Sequence, residues 1–141
     1  MNRPNDDDLF YVATIMEYTA RTTNNEISYI ADAMGVLGMS KVYEFADASR
    51  CLPFSQVADE LIQQYGISNG NKEPDLPHIR VTAVGAAYAN YVIEHQIGKS
   101  EYITDLFALL HSQEKMNNLK IDVAAKVVLE RYRSAFEELA K

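Results

Sequence analysis

Residue types that could do chemistry are sparse in this chain. There is one cysteine, Cys51, and the neighbouring Arg50 would favour its thiolate form. Nucleophilic catalysis by a cysteine also needs a histidine within hydrogen-bond reach and donors for an oxyanion. No spacing in the sequence indicates either of these. We therefore interpret Cys51 as a small buried apolar residue, and an unpaired cysteine fits a reducing compartment.

The three histidines, His78, His95 and His111, are equally isolated, since no two of them lie four residues apart as in a helical zinc protease. A metal shared by His95 and His111, with Glu94 or Glu114 added, is one alternative, and we favour plain surface or interface histidines. The six glycines fall into no nucleotide-binding spacing. We therefore predict no catalytic residue, no cofactor and no metal, and the protein is predicted not to be an enzyme.

The charge balance limits the class of partner. Thirteen basic and twenty acidic residues give the chain a formal charge of −7. Residues 1–66 carry four basic against ten acidic residues, so most of the acidic field belongs to the first half. Nucleic acid and anionic membranes both attract basic clusters, which makes both of them poor candidates. With a polar, acidic start and no apolar run that could span a bilayer, we expect a cytoplasmic protein with no membrane partner.

The elements that must position any site are helical, because apolar residues recur at spacings of three and four along the whole chain. We predict an all-α fold of six to seven helices in a compact bundle, or two helical subdomains packed together. Residues 1–66 form an acidic helical module, 67–78 a linker rich in Gly, Pro, Asn and Ser, and 79–141 a second helical module.

Several helix ends carry recognisable signals. The three aspartates at 6–8 can cap and complement the start of the first helix. Gly35 is predicted to stop the second helix, and a third should run from Ser40 to Ser49. A fifth helix is expected over Val81–Ile97, followed by a sixth capped by Ser100.

The last predicted helix, from about residue 119 to 140, is the most regular. Its apolar residues recur at spacings of three, four and seven and make one stripe, which Val123, Val127 and Phe136 widen. The members of the stripe are Ile121, Ala124, Ala125, Val128, Tyr132, Ala135 and Leu139. Such a stripe either closes the intramolecular core or makes a homodimer through the C-terminal helix.

The composition otherwise favours contact with another protein of unknown identity. Nine tyrosines and no tryptophan are present, and tyrosine either fills the edge of a core or supplies a partner surface. We predict an interaction surface on the acidic first half. Its candidate residues are Asp6, Asp7, Asp8, Tyr29, Tyr43, Glu44 and Asp47.

Residues 27–50 also have the pattern of a helix-turn-helix, with Ala31 followed four residues later by Gly35. The alternative function is therefore a dimeric transcriptional regulator, with Ser40, Lys41 and Arg50 as its DNA contacts. The segment is poor in the basic and amide side chains that read bases and phosphates. Nucleic acid is thus a disfavoured partner that the sequence does not exclude.

Residues 10–66 resemble a bacterial domain-of-unknown-function family, number 3791. The resemblance is carried by Phe10–Ala20 and by Ile27–Leu37, which ends in Met-Gly-Val-Leu, and the chain departs from the family at Ser49–Cys51. It implies a small helical protein of a kind often encoded beside toxin-like partners, with no assigned catalytic residue. Together these observations predict a non-enzymatic, protein-binding regulator, antitoxin-like partner or inhibitor.

Overall fold

The computed structural model of the protein describes residues 5–95 and 101–140, and within these ranges it contains seven α-helices and no strand. The prediction of an all-α fold is confirmed. The helices are α1 (Asp6–Thr23), α2 (Ile27–Glu44), α3 (Ala46–Ser49), α4 (Phe54–Tyr65), α5 (Val81–Glu94), α6 (Tyr102–Leu110) and α7 (Gln113–Leu139).

Helix α1 is the centre of the bundle. It is buried over nearly its whole circumference, as expected for a helix with apolar residues on all sides. It packs most extensively on α5 and also contacts α2 and α4. Leu9, Ile15 and Met16 of α1 and Tyr88 of α5 are among the largest fully buried side chains. Residues from before and after the 67–78 segment therefore share one core.

The ends of α1 differ in detail from the predicted ones. The N-cap is Asn5, whose side-chain oxygen accepts a hydrogen bond from the Asp8 amide at 3.0 Å. The aspartates at 6–8 occupy the first turn instead, where carboxylates oppose the positive end of the helix dipole. At the other end Asn24 adopts a left-handed conformation and closes the helix.

Gly35 ends the first helical stretch of α2, as the sequence predicts, and a second stretch follows directly after it. Its φ of 70° and ψ of 173° produce a kink, and a residue with a side chain would be strained at this φ. The helix resumes at once and runs to Glu44. The separate helix predicted over Ser40–Ser49 is consequently divided between the end of α2 and the single turn of α3.

The segment over residues 67–78 has no helix but is attached to the C-terminal end of α1. The amides of Gly70 and Lys72 donate hydrogen bonds to the carbonyl oxygens of Thr23 and Asn24, at 2.7 and 2.9 Å. The side-chain amide of Asn25 donates to the Ser68 carbonyl at 2.7 Å. These bonds fix the path of the segment across the bundle.

The second half of the chain begins with α5, which starts at Val81 as expected and ends at Glu94. Ile97 and Ser100, the predicted end of one helix and cap of the next, lie outside the described residues. Helix α7 begins six residues earlier than predicted because Ser112 caps it, accepting a hydrogen bond from the Lys115 amide. None of the helices in the described ranges is both long and apolar enough to cross a membrane.

Helix α6 is connected to α2 by a contact that should depend on pH. The Nε2 of His111 lies 2.6 Å from Oδ1 of Asp32, and its Nδ1 lies 2.8 Å from the Phe107 carbonyl oxygen. Both ring nitrogens can donate only in the imidazolium form. The Phe107 carbonyl is the main cause, and Asp32 the second, of the raised pKa of His111, while partial burial opposes them.

A raised pKa in the folded state gives stability that is complete below the unfolded value and is lost as the pH rises through the folded value. At pH 6 the Asp32→Asn variant should therefore have a lower free energy of unfolding than wild type. The loss should be less than about 1 kcal/mol, because the ion pair is largely exposed. The difference should shrink toward pH 8, as urea unfolding at the two pH values would show. Asp59→Asn, an exposed change on α4, serves as the control. A difference that grows with pH would contradict this assignment of the ion pair.

Candidate protein-interaction surface

One end of the bundle collects several of the predicted interaction residues around Arg50. The guanidinium pairs with the carboxylate of Asp8 and, at 3.0 Å, with that of Asp47. Burial raises the pKa of Asp8 and the negative charge of Asp47 adds to this, whereas Arg50 opposes both. Both carboxylates therefore have a partner within the molecule, although the Asp47 side chain remains 85% exposed.

The tyrosine hydroxyls at this end are also used internally. The Tyr43 hydroxyl accepts a hydrogen bond from the Asn5 amide at 2.7 Å, and the Tyr102 hydroxyl donates to Asp6 at 2.8 Å. Burial, with the bond to Asp6, raises the pKa of Tyr102 to about 12. Because these contacts join α1 to α2 and α6, the acidic end has a clear structural use.

The remaining predicted interaction residues are distributed unevenly. Asp7 and Glu44 are exposed at the same end of the bundle, and no ion pair involves them within the described ranges. Tyr29 lies near the start of α2, on the other side of the kink at Gly35, and its side chain is partly exposed. The structure thus gathers Asp6, Asp7, Asp8, Tyr43, Glu44 and Asp47 at one end and separates Tyr29 from them.

The candidate DNA contacts do not form a basic face. Ser40 is half-buried, Arg50 is held by its two aspartates, and Lys41 is exposed. A helix that contacts DNA needs several cationic or amide groups directed at phosphates and bases. No feature of this segment favours the DNA-binding alternative over a protein contact.

Cys51 is exposed, which makes the expectation of a buried apolar residue wrong. It follows the short α3 and precedes Pro53, at a turn where the chain runs over the surface between two helices. Local sequence indicates the size and polarity of such a residue but not the side of the turn on which it lies. Because Cys51 is exposed, it must be replaced in any cysteine cross-linking experiment.

His95 ends α5 and lines a cleft of about 510 Å³ between α5, α6 and the start of α7. Its ring stacks on Tyr91 with 4.0 Å between centroids, and Lys115 lies over the same tyrosine. His95 is fixed by this stacking, whereas His111 is fixed by Asp32. Within residues 5–95 and 101–140 no group of three or more metal-ligating side chains is placed to hold an ion.

Helix α7 has the most unusual surface of the molecule, because it carries apolar residues on two opposite sides. One side packs on α5 and α6 through Met116, Leu119 and Val123. About two and a half turns separate Val123 from Tyr132, which therefore points away from the bundle. The solvent-facing side, called the α7 stripe, comprises Ile121, Ala125, Val128, Leu129, Tyr132, Ala135, Phe136 and Leu139.

The α7 stripe is open along its whole length. Its six large side chains are between 48% and 81% exposed, although residues of this kind are usually buried. From residue 128 to residue 140 every position of the helix is exposed, so this half extends beyond the other helices. Contiguous apolar surface of this extent is uncommon on a water-facing helix, which makes the α7 stripe the candidate interaction surface.

The other side of the same half is polar. Glu130, Ser134 and Glu137 occupy the positions that would continue the packed side of Met116 and Val123 beyond the bundle. The sequence therefore changes from apolar to polar where the helix leaves its neighbours, and it stays apolar on the far side. This pattern is typical of a helix that packs internally over its first half and binds externally over its second.

The sequence predicts the spacing of the stripe but leaves its role open between core closure and dimerisation. In the structure Val123 and its neighbours contact the bundle, whereas the stripe faces solvent. The sequence does contain one sign of two separate faces, because Val123 and Tyr132 are nine residues apart and therefore lie on opposite sides of a helix. By contrast, the predicted acidic surface is largely occupied by its own ion pairs and hydrogen bonds.

Comparison with known proteins identifies no relative of this chain. The chain matches no protein-family model, no curated protein and no solved structure at a significant level. The resemblance of residues 10–66 to family 3791 therefore stays a prediction, and any functional assignment depends on the α7 stripe and its surroundings.

Proposed function

We propose that this protein is a non-enzymatic protein-interaction module whose contact surface is the α7 stripe. The partner is a protein that presents an apolar helix, because a narrow apolar stripe on a helix is complementary to another such stripe. The single observation that carries the proposal is the continuous exposure of apolar side chains from Ile121 to Leu139, on the side opposite to the packed face.

The stability of the helix itself supports the proposal. Residues 128–139 extend past the bundle, and an isolated helical segment of this length is marginal in water. Covering Val128, Tyr132 and Phe136 would remove apolar surface from water and so stabilise the helical conformation. A partner would therefore order and protect the segment that it binds.

Charge argues for a protein rather than a membrane surface. Interfacial membrane helices carry many Lys and Arg residues on their polar side. The exposed half of α7 instead mixes Arg131 and Arg133 with Glu130, Glu137 and Glu138, in a chain of net charge −7. The electrostatic attraction between anionic lipid and such a helix would be weak.

The regulator, inhibitor and antitoxin-like roles are specific forms of this proposal. The resemblance of residues 10–66 to family 3791 suggests a small helical protein that acts on a protein partner. The acidic end around Arg50 is the weaker candidate for that contact, because Asp6, Asp8 and Asp47 already have partners within the chain.

Photo-cross-linking of the full chain tests the proposal directly. A photoreactive benzophenone amino acid replaces Tyr132 in the stripe, or Ser134 on the polar side of the same helix as the matched control. Irradiation of cells should give a discrete protein adduct from position 132 and none from position 134. Adducts of equal yield from both positions, or none from position 132, would overturn the proposed function.

A further inference from the structure

We infer that the helix covering the α7 stripe is α7 of a second copy of this chain, aligned in parallel as a two-stranded coiled coil over residues 121–139. This inference rests on the proposed function and specifies its partner.

The stripe has a heptad repeat over its whole length. Ile121, Val128 and Ala135 form one series spaced by seven residues, and Ala125, Tyr132 and Leu139 form the other. The alternation of four and three residues between the two series is that of a two-stranded seam. Two identical helices with this repeat place equivalent residues at equivalent heights, so the surface is complementary to itself.

The repeat also has a defined start. The positions one heptad before Ile121 and Ala125 are Glu114 and Asn118, both exposed. A charged and an amide side chain at these seam positions would be desolvated if the pairing continued toward the N-terminus. The seam therefore begins at residue 121, where the first large apolar member appears.

The area of the stripe matches what a stable dimer needs. The exposed fractions of its six large side chains average about two thirds, and a whole large apolar residue presents roughly 180 Å². One stripe thus exposes about 700 Å², so that pairing two copies would bury at most about 1,400 Å² in total. This value falls within the range of specific interfaces.

The stripe is uncharged, which favours a second copy over a charged partner. All eight of its members are apolar or tyrosine, and nothing on the stripe would select a basic or acidic partner. Interfaces between identical subunits are more apolar than those of transient complexes. An uncharged seam on a chain of charge −7 therefore fits a permanent contact between copies.

Arg131, which borders the seam, selects the parallel orientation. In an antiparallel pair that keeps both series in the seam, Arg131 would lie beside the partner's Arg131 near the two-fold axis. In a parallel pair it lies beside the partner's Phe136, whose ring face attracts a cation. Only the parallel pair avoids the like-charge contact while retaining every seam residue.

Sedimentation equilibrium of the purified full chain tests the second copy. Wild type should have twice the monomer mass of 15.9 kDa. Tyr132→Glu should weaken the dimer by roughly a hundredfold, and Ser134→Glu, which adds the same charge on the polar side, should leave it unchanged. A wild type that stays monomeric up to about 0.1 mM would overturn the inference. So would equal dissociation by both variants.

This result is separable from that of the proposed function. An adduct from position 132 to a different protein, with a monomeric wild type, would leave the interaction module intact and remove the second copy. An adduct at the mass of two chains would support both. The absence of any adduct from position 132 would remove the interaction module, and the inference with it.

The orientation is tested in a Cys51→Ser background, since the exposed native cysteine would otherwise cross-link. Oxidised Ala135→Cys should form a disulfide-linked dimer, because equivalent residues face each other in a parallel seam. A mixture of Ala125→Cys and Ala135→Cys chains should then give each self-linked dimer and no mixed species. Mixed disulfides alone, or no disulfide in any sample, would overturn the parallel pairing.

Discussion

Replacing Gly85 with alanine should lower the free energy of unfolding by about 2 kcal/mol, although alanine is the better helix former. Gly85 lies where α5 crosses the central helix α1. A Cβ atom at this position would clash with the Thr14 hydroxyl oxygen and would come within 2.8 Å of the Thr14 main-chain nitrogen and Cα. Main-chain atoms cannot rotate away, so the two helices would have to separate and lose packing.

Urea unfolding followed by circular dichroism measures this loss, and Gly85→Val should lose more than Gly85→Ala because its side chain is larger. Asn90→Ala, an exposed change on the same helix, should alter the free energy of unfolding by less than about 0.5 kcal/mol. If Gly85→Ala were as stable as wild type, the close approach of α1 and α5 at Thr14 would be excluded.

Gly85 also illustrates a limit of sequence interpretation. Its neighbours Val84 and Ala86 fit a helix. A single sequence does not distinguish a glycine that only weakens a helix from a glycine that allows a second helix to pack closely against it. The closest contact to Gly85 comes from Thr14, which lies far away in the chain. The fold class was predictable because it depends on local spacing, whereas this crossing depends on how distant segments meet.

The candidate site shows the same division between local and distant information. The heptad spacing of Ile121, Val128 and Ala135 is visible in the sequence and predicts a helix with an apolar stripe. Whether other helices cover that stripe depends on which side of α7 is held by α5 and α6. The opposite apolar side, around Val123, is the one that packs on α5 and α6. Sequence spacing alone does not indicate which of the two sides packs on the bundle.

Polar residues were harder to place than apolar ones. The acidic residues of the first half looked available for a partner, yet Arg50 lies between Asp8 and Asp47. Glu17 is a stronger case, since it lies among apolar residues of α1 and is almost completely buried. A buried carboxylate requires specific donors, and these come from Tyr88 and Arg21, on α5 and one turn further along α1.

Removing one of those donors should have a large effect. Arg21→Met is expected to lower the free energy of unfolding by about 3 kcal/mol, because it leaves a buried carboxylate without its counterion. The Arg21 Nε lies 2.8 Å from Oε2 of Glu17, and its Nη1 donates to the Ile79 carbonyl oxygen at 2.7 Å. The same change therefore also releases the end of the loop that precedes α5. Arg50→Met should cost clearly less than Arg21→Met, because the Arg50 side chain is more exposed than that of Arg21 and its second partner, Asp47, is open to solvent.

A double-mutant cycle separates the buried charge from the lost packing. Glu17→Gln keeps an oxygen that can accept from the Tyr88 hydroxyl, which donates to Glu17 at 2.9 Å, and it removes the negative charge. Tyr88 remains protonated in this environment, because burial and the adjacent Glu17 both raise its pKa. Adding Glu17→Gln to Arg21→Met should thus recover part of the lost free energy of unfolding. If the two changes were instead additive, the effect of Arg21 would come from packing and from Ile79. The charges of Glu17 and Arg21 would then contribute little to the packing of α1 on α5.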